Sequence, residues 1–179
     1  MILSDYDLEN IIRSKRLGIE PFEKETIREN GIDLRLSNEI AVRNPKLTKN
    51  TIFDPTNPRH VKDEYIVKRT NKLIVPEHSQ VLMSSREHLS MPNNLMGFVE
   101  IRSTWARHGL SMPPTIIDAG FRGTITLEII NNAPHPIMLR PNMRFAHVIF
   151  AATLNEVRNA YSGSYLNQRG IKLPKLIKE

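Results

Sequence analysis

The residues of this chain that could do chemistry lie between Arg102 and Glu128. The run RSTWAR at 102–107 (Arg102, Ser103, Thr104, Trp105, Ala106, Arg107) places two guanidinium groups around two hydroxyls. Guanidinium forks grip non-bridging phosphate oxygens two at a time, so the run suits a polyanion such as a triphosphate. If residues 104–108 form a short helix, Ser103 is its N-cap, and free N–H groups there favour an anion. Next comes IDAG at 117–120. This turn can set the Asp118 carboxylate beside a ligand hydroxyl, with Gly120 free to take positive φ. Residues 124–131 then alternate as a strand: Ile125, Leu127 and Ile129 share one face, Thr126, Glu128 and Ile130 the other. A carboxylate in so apolar a strand sits at an edge or has a task. Burial raises its pKa and a neighbouring arginine lowers it, which is how a general acid/base is tuned.

Taken together, FVEIRSTWARHGL and the following TIIDAGFRGTITLEI resemble the deoxycytidine triphosphate deaminases. These are relatives of the dUTP diphosphatases and share their trimeric β-fold. The family pattern runs R-S-S-x-A-R, then I-D-x-G-[FYW]-x-G, then [LV]-x-[LI]-E, and order, spacing and chemistry all match. The resemblance implies a dUTPase-like β-domain over residues 1–160 and an arm, 161–179, that closes over the active site. It implies a homotrimer with its site built between subunits, and hydrolysis of dCTP to dUTP and ammonia. Glu128 would be the proton shuttle, with Ser103 and Arg107 orienting it and the water. Arg102, Ser103, Thr104, Trp105, Ala106 and Arg107 would surround the phosphates, Asp118 the sugar, and the backbone of Thr126 and Leu127 the base. In the arm, Tyr161 and Gln168 fit the family's Y-x(2–6)-K-Y-x-x-Q-x-G pattern, whereas Ser164 stands where a lysine is usual. Magnesium would accompany the triphosphate without a protein cage. Two other readings stand beside this one. A dUTP diphosphatase, alone or combined with the deaminase, would use Asp118 to activate water. A trimeric nucleotide sensor would bind without turnover. Glu128 discriminates, because plain diphosphatases lack a carboxylate in this strand.

Composition narrows the chemistry further. The 179 residues suit one domain. The net charge of +6 comes from scattered lysines and arginines, with no basic run of the kind that marks nucleic-acid binding. No cysteine is present, which removes disulfides, thiolate nucleophiles and the Cys-x-x-Cys pair of the zinc nucleobase deaminases. Deamination here is therefore expected to proceed without zinc. The six histidines show no ligand spacing; His147, in an apolar strand, reads as a satisfied core or interface residue, and His60 as solvated. The start MILSDYDLENII lacks a signal-peptide layout and no apolar run approaches a membrane span, so a soluble, cytoplasmic protein is expected.

The elements that must position these residues are mostly short strands. Ser4 and Asp7 suggest a capping box that opens a helix with Leu8, Ile11 and Ile12 as its apolar stripe, stopped by Gly18. Ile32, Leu34 and Leu36 alternate with Asp33 and Arg35, predicting a half-buried strand after the Asn30-Gly31 turn. On that strand Asp33 and Arg35 form either an ion pair on the outer face or a support for the site. Residues 44–72 read as loop with a short strand at 65–67. Strands follow at 73–75, 80–84, 95–101, 136–140 and 145–154, the last two across a Pro141-Asn142 turn, and Phe145 to Phe150 offer apolar material for an interface. Many short strands with tight turns predict a mainly β fold, a distorted antiparallel barrel or jelly roll. A short N-terminal helix precedes it, and from Asn159 a polar, mobile arm follows, too irregular in its apolar spacing to join the core.

Overall fold

The computed structural model describes residues 1–47 and 52–177; residues 48–51 of the polar stretch and 178–179 of the tail lie outside it. Helix α1 (Asp5–Arg13) is followed by β1 (Gly18–Glu20), β2 (Ile27–Arg28) and the long β3 (Gly31–Arg43). Helix α2 (Pro58–Asp63) leads into β4 (Tyr65–Arg69), β5 (Leu73–Val75), β6 (Ser79–Ser90) and β7 (Leu95–Ile101). Helix α3 (Ser103–Arg107) precedes β8 (Leu110–Ser111), β9 (Thr115–Ile117), β10 (Arg122–Asn131), β11 (Ile137–Leu139) and β12 (Arg144–Ala152). One antiparallel sheet runs β8-β10-β6-β3-β12-β7-β9, with β1 on β6 and both β2 and β4 on β3; β5 and β11 pair separately. The sheet curls into a half-barrel, so the mainly β architecture is as expected. Among the described residues no helix is long and apolar enough to cross a membrane.

Local chemistry accounts for the first turns of chain. Ser4 accepts from the Asp7 N–H, and Asp7 in return accepts from Ser4, so the capping box forms. Leu8 and Ile11 are buried beneath it. The helix does not reach Gly18, however. Ser14 caps it with bonds to Asn10 O and Ile11 O, and Lys15 turns the chain at φ 59°, leaving Gly18 to begin β1.

Strand β3 corrects a second expectation. Residues 31–36 are buried on both faces; β12 pairs along one edge of this stretch, and β2 and then β6 along the other. Asp33 and Arg35 are therefore inside, 2% and 5% exposed, and they do not pair with each other. The Arg35 Nε donates to Glu87 Oε1 at 2.6 Å, its backbone N–H donates to Glu87 Oε2 at 2.8 Å, and Glu23 meets the far side of the guanidinium. Glu87 fills a gap in the ladder: register shifts fall between Leu36 and Ile40 on β3 and between Thr124 and Thr126 on β10, both opposite the same part of β6. Asp33 instead accepts from His147 at 3.0 Å and faces Arg102 Nε at 3.5 Å. His147 is thus satisfied, as expected.

Three further readings change. Phe145, Ala146, Val148 and Phe150 are completely buried in this chain's own core, so these four offer no interface, while Ile149 on the other side of β12 stays half-buried. The exposed apolar side chains are on the opposite face, where Phe98 stands between Ile149 and Ile116 across three strands. The Pro141-Asn142 turn does lie between β11 and β12 as expected, but the two strands do not pair with each other: β11 pairs with β5, while β12 pairs with β3 and β7. The polar stretch contains α2, capped by Asn57 with Pro58 at its start, and His60 is half-buried, accepting from the Asp54 N–H at 3.0 Å.

Removing Arg35 would strand the buried Glu87 carboxylate, and breaking such a pair costs about 3–5 kcal/mol. Arg35→Met should lower the denaturant midpoint accordingly; a loss under ~1 kcal/mol would show that the network does not hold β3 to β6.

Candidate active site

Strand β10 is anchored by its core side. Ile125, Leu127 and Ile129 are buried, which leaves Thr126, Glu128 and Ile130 half-exposed on the outer face, as the alternation predicted. Across the sheet Glu128 lies opposite Leu82 on β6, Leu82 opposite Ala41 on β3, and Arg43 opposite Tyr65 on β4. This outer surface is the floor of a cleft of about 610 Å³. One wall is the turn carrying Asp118; another is the chain from Tyr161 onward, including Tyr165 and Gln168.

Glu128 is the chemically unusual group on that floor. Burial pushes its carboxyl above the ordinary glutamate range, opposed only in part by its own backbone N–H. Among the described residues it has no ion-pair partner. Beside it, burial raises the Tyr65 phenol, Arg43 opposes that shift, and Glu64 and Glu128 add to it. Arg43 is fully engaged. It meets Glu64 Oε1 at 2.6 Å, donates to Gln80 Oε1 at 3.2 Å, and lies over the Tyr65 ring at 5.2 Å. Arg43, Glu64, Tyr65 and Gln80 went unnoticed in sequence. They come from segments with no motif, and only strand register brings them beside Glu128.

The backbone next to Glu128 is accessible. The second edge of β10 pairs with β8 only at Ile130 and Asn131, and bridges to Gln168 at Gly123. Between these points Thr126, Leu127 and Glu128 carry no strand partner on that edge among the described residues. The Leu127 side chain is wholly buried, so it can offer a ligand only its main chain.

Asp118 is exposed at the cleft wall. Gly120 takes φ 83°, and a Cβ there would meet Ala160 at 2.7 Å, so only glycine lets the carboxy-terminal segment come this close. The segment is fixed by Tyr161 N–H to Ala119 O at 3.0 Å and by the Tyr161 ring edge-on to Phe121. Gln168 is 8% exposed and donates to Thr124 O. Beyond it, Ile171 and Leu173 pack beside Ala41, Tyr65 and Leu82, contacts that irregular apolar spacing had concealed.

The RSTWAR run stands elsewhere. None of Arg102, Ser103, Thr104, Trp105, Ala106 or Arg107 lines this cleft. Helix α3 begins one residue before the predicted start, so its N-cap is Arg102, with no capping side chain, and Ser103 is the first helical residue. The Trp105 indole donates to Arg144 O at 2.7 Å and stacks on Phe145, which pins the helix to the core. Ser103, Thr104, Ala106 and Arg107 are exposed, and Arg102 leans on Asp33. One chain therefore carries the cleft around Glu128 and, apart from it, the exposed arginine and hydroxyl groups of α3.

The curled antiparallel half-barrel is the β-fold seen in solved dCTP deaminases and dUTPases. The dCTP deaminase of Agrobacterium tumefaciens superposes with TM-score 0.62 at 18% identity, over 83% of this chain and 47% of that one. A dUTPase mutant from Staphylococcus aureus phage phi11, whose structure describes a structural Mg(II) ion, gives 0.50 at 11% identity over 82% and 97%. Residues 2–153 match the family described as dCTP deaminase-like, and the chain belongs to that family. The dCTP deaminase of Caldivirga maquilingensis is 41% identical over 180 residues, 99% of this chain and 98% of that protein.

The raised pKa of Glu128 has a consequence for stability. The folded state holds this proton more tightly than the unfolded chain, so the stabilising contribution is complete below the ordinary glutamate pKa and is lost as pH rises through the folded value. Glu128→Gln should therefore melt higher than the parent at pH 8, with the gap closing near pH 4. A lower melting temperature at pH 8 would mean that the carboxylate is structural.

Proposed function

We propose that the protein deaminates dCTP hydrolytically, giving dUTP and ammonia. The observation that carries this is Glu128: a carboxyl with raised pKa, beside an unpaired stretch of backbone, on the floor of a cleft large enough for a nucleoside. In this reading the Glu128 carboxylate takes a proton from water as the water oxygen bonds to C4 of cytosine. The proton passes to N3; Glu128 then takes the proton of the new C4 hydroxyl and delivers it to the amine, so that C4=O forms as the C4–N bond breaks and ammonia leaves. A carboxyl whose pKa lies nearer neutrality than usual is the better group for both directions of transfer. The backbone of Thr126 and Leu127 reads the base edge, and Asp118 accepts from the sugar hydroxyl. The arm from Tyr161 to the C-terminus closes over the nucleotide and excludes water, with Tyr161 and Gln168 as its contacts.

The phosphates need α3, which faces away from this cleft. A homotrimer resolves the conflict by letting α3 of one subunit reach the cleft of the next, a contact that closed rotational symmetry repeats around the ring. Arg102, Ser103, Thr104 and the helix backbone at Trp105 and Ala106 then hold the triphosphate, while Ser103 and Arg107 orient Glu128 and the water. The outer row of exposed Ile116 and Phe98, with half-buried Ile149 beside them, offers such an assembly apolar surface. Magnesium enters with the substrate. Its ligands would come from the phosphate oxygens and water rather than from a dedicated protein cage.

Incubation with dCTP and separately with dUTP, followed by separation of the products, tests the reaction. The parent should convert dCTP to dUTP, and Glu128→Gln should lower that rate by ~10²–10⁴-fold while still binding nucleotide. Pyrophosphate released from dUTP as the sole product would favour the diphosphatase. The shared site has its own test. Arg107→Ala and Glu128→Gln, each inactive alone, should regain activity after co-refolding, to about a quarter of sites in a random trimer. No recovery in mixed trimers would place both residues in one subunit's site.

A further inference from the structure

The carboxy-terminal arm is bound to the sheet where the sheet is irregular. On β3 the ladder to β6 breaks between Leu36 and Ile40, and on β10 the register shifts between Thr124 and Thr126. Residues 168–172 of the arm are held at these two breaks. The Thr124 N–H donates to Gln168 O at 3.1 Å, and the Thr124 hydroxyl donates to Gly170 O at 3.1 Å. The Lys172 N–H donates to the Thr126 hydroxyl at 3.0 Å. Those bonds come from β10, the strand that carries Glu128. A further bond comes from β3, where Glu39 Oε2 accepts from the Ile171 N–H at 3.1 Å. Its acceptor is a carboxylate, and hydrogen bonds of that kind are roughly twice as strong as neutral ones. Gly170 makes the approach possible. It takes φ 66°, and a Cβ there would collide with Glu39 Oε2.

The geometry points to Glu39 as a positioning residue whose carboxylate is the catch that holds the arm against the sheet beside the cleft. The inference rests on the deaminase reading, in which the arm closes over the nucleotide. The arm has two sides with different neighbours. Tyr165, Gln168 and Lys172 line the cleft, whereas Gly170 and Glu39 line a separate hollow behind it. Glu39 therefore acts on the cleft through Ile171 and does not face the nucleotide. Its position on β3 suits the task. It lies in the stretch that β6 leaves unpaired, half-buried, and opposite Arg69 on β4. Arg69 Nε donates to Glu39 Oε1 at 2.9 Å, which leaves Oε2 for the arm. The Arg69 side chain is largely exposed, and an exposed ion pair contributes little by itself. The strength of the catch is thus in the bond to Ile171. With that bond made, Gln168 sits on Thr124 and Lys172 on Thr126, within four residues of Glu128 along β10.

Limited trypsin digestion reads the catch without reference to turnover, because Arg169 and Lys172 lie inside the bound stretch. Cleavage there needs the arm to lift, so its rate follows the lifted population. Glu39→Ala should be cut after Arg169 and Lys172 about tenfold faster than the parent, the loss expected for one bond to a charged group. In dCTP turnover it should raise KM about two- to tenfold and leave kcat within about twofold, because saturating nucleotide draws the arm shut. Glu39→Gln keeps an acceptor for Ile171 and should fall between Glu39→Ala and the parent in both measurements. Arg69→Ala should stay near the parent. Gly170→Ala disturbs the same contact from the arm and should reproduce Glu39→Ala; it leaves β3 intact and serves if Glu39→Ala does not fold. A folded Glu39→Ala cut at the parent rate would overturn the inference. So would faster cutting with KM unmoved, or an Arg69→Ala that matched Glu39→Ala. A parent whose arm resists trypsin but which does not deaminate dCTP would instead overturn the reading beneath it.

Discussion

The structure depends on the two-residue period of β10. Ile125, Leu127 and Ile129 must be buried, and because strand side chains alternate, that requirement turns Glu128 to the opposite face. A slip of one residue would bury the carboxylate and expose three large apolar groups. The burial of those side chains therefore fixes the orientation of the polar one. The irregularity between Thr124 and Thr126 does not disturb this, since the Ser85 hydroxyl accepts from the Ile125 N–H at 2.8 Å where the ladder is interrupted.

Around this strand, buried charges hold the sheet in register. Glu87 reaches from β6 into β3 and accepts from both the backbone N–H and the Nε of Arg35. Asp33, two residues away on the same strand, serves the other side, accepting from His147 and standing next to Arg102 at the start of α3. One strand thus connects the Arg35–Glu87 network with the residue that caps the start of α3. Such groups are costly to bury without partners, and here the partners come from four different strands or turns.

The separation of the cleft from α3 is the most informative feature for function. A monomer presents the two halves of the proposed site on different surfaces. Each half is firmly built in its own right: Trp105 stacked on Phe145 fixes one, and β10 fixes the other. Two rigid half-sites facing apart give a physical motive for assembly, in which the neighbour's surface completes what one chain leaves open.

Sequence by itself determined a good deal here. The alternation that exposes Glu128, the capping box of α1, the extents of β5 and β7, the turn at Gly120 and the mainly β class all follow from local periods and local conformational preferences, which act between residues near in the chain. The three motifs that mark the family are local in the same sense. What depended on distant contacts was not legible. Asp33 and Arg35 read equally as outer-face partners or as support for the site, because alternation along one strand cannot reveal that both faces of this part of β3 are covered. The apolar run of β12 looked like an interface because composition does not say which core it fills. Arg43, Glu64, Tyr65 and Gln80 belong to no motif, and the cleft they share with Glu128 exists only once β10, β6, β3 and β4 lie side by side. Strand register decided all three, and it is set by contacts between residues tens of positions apart.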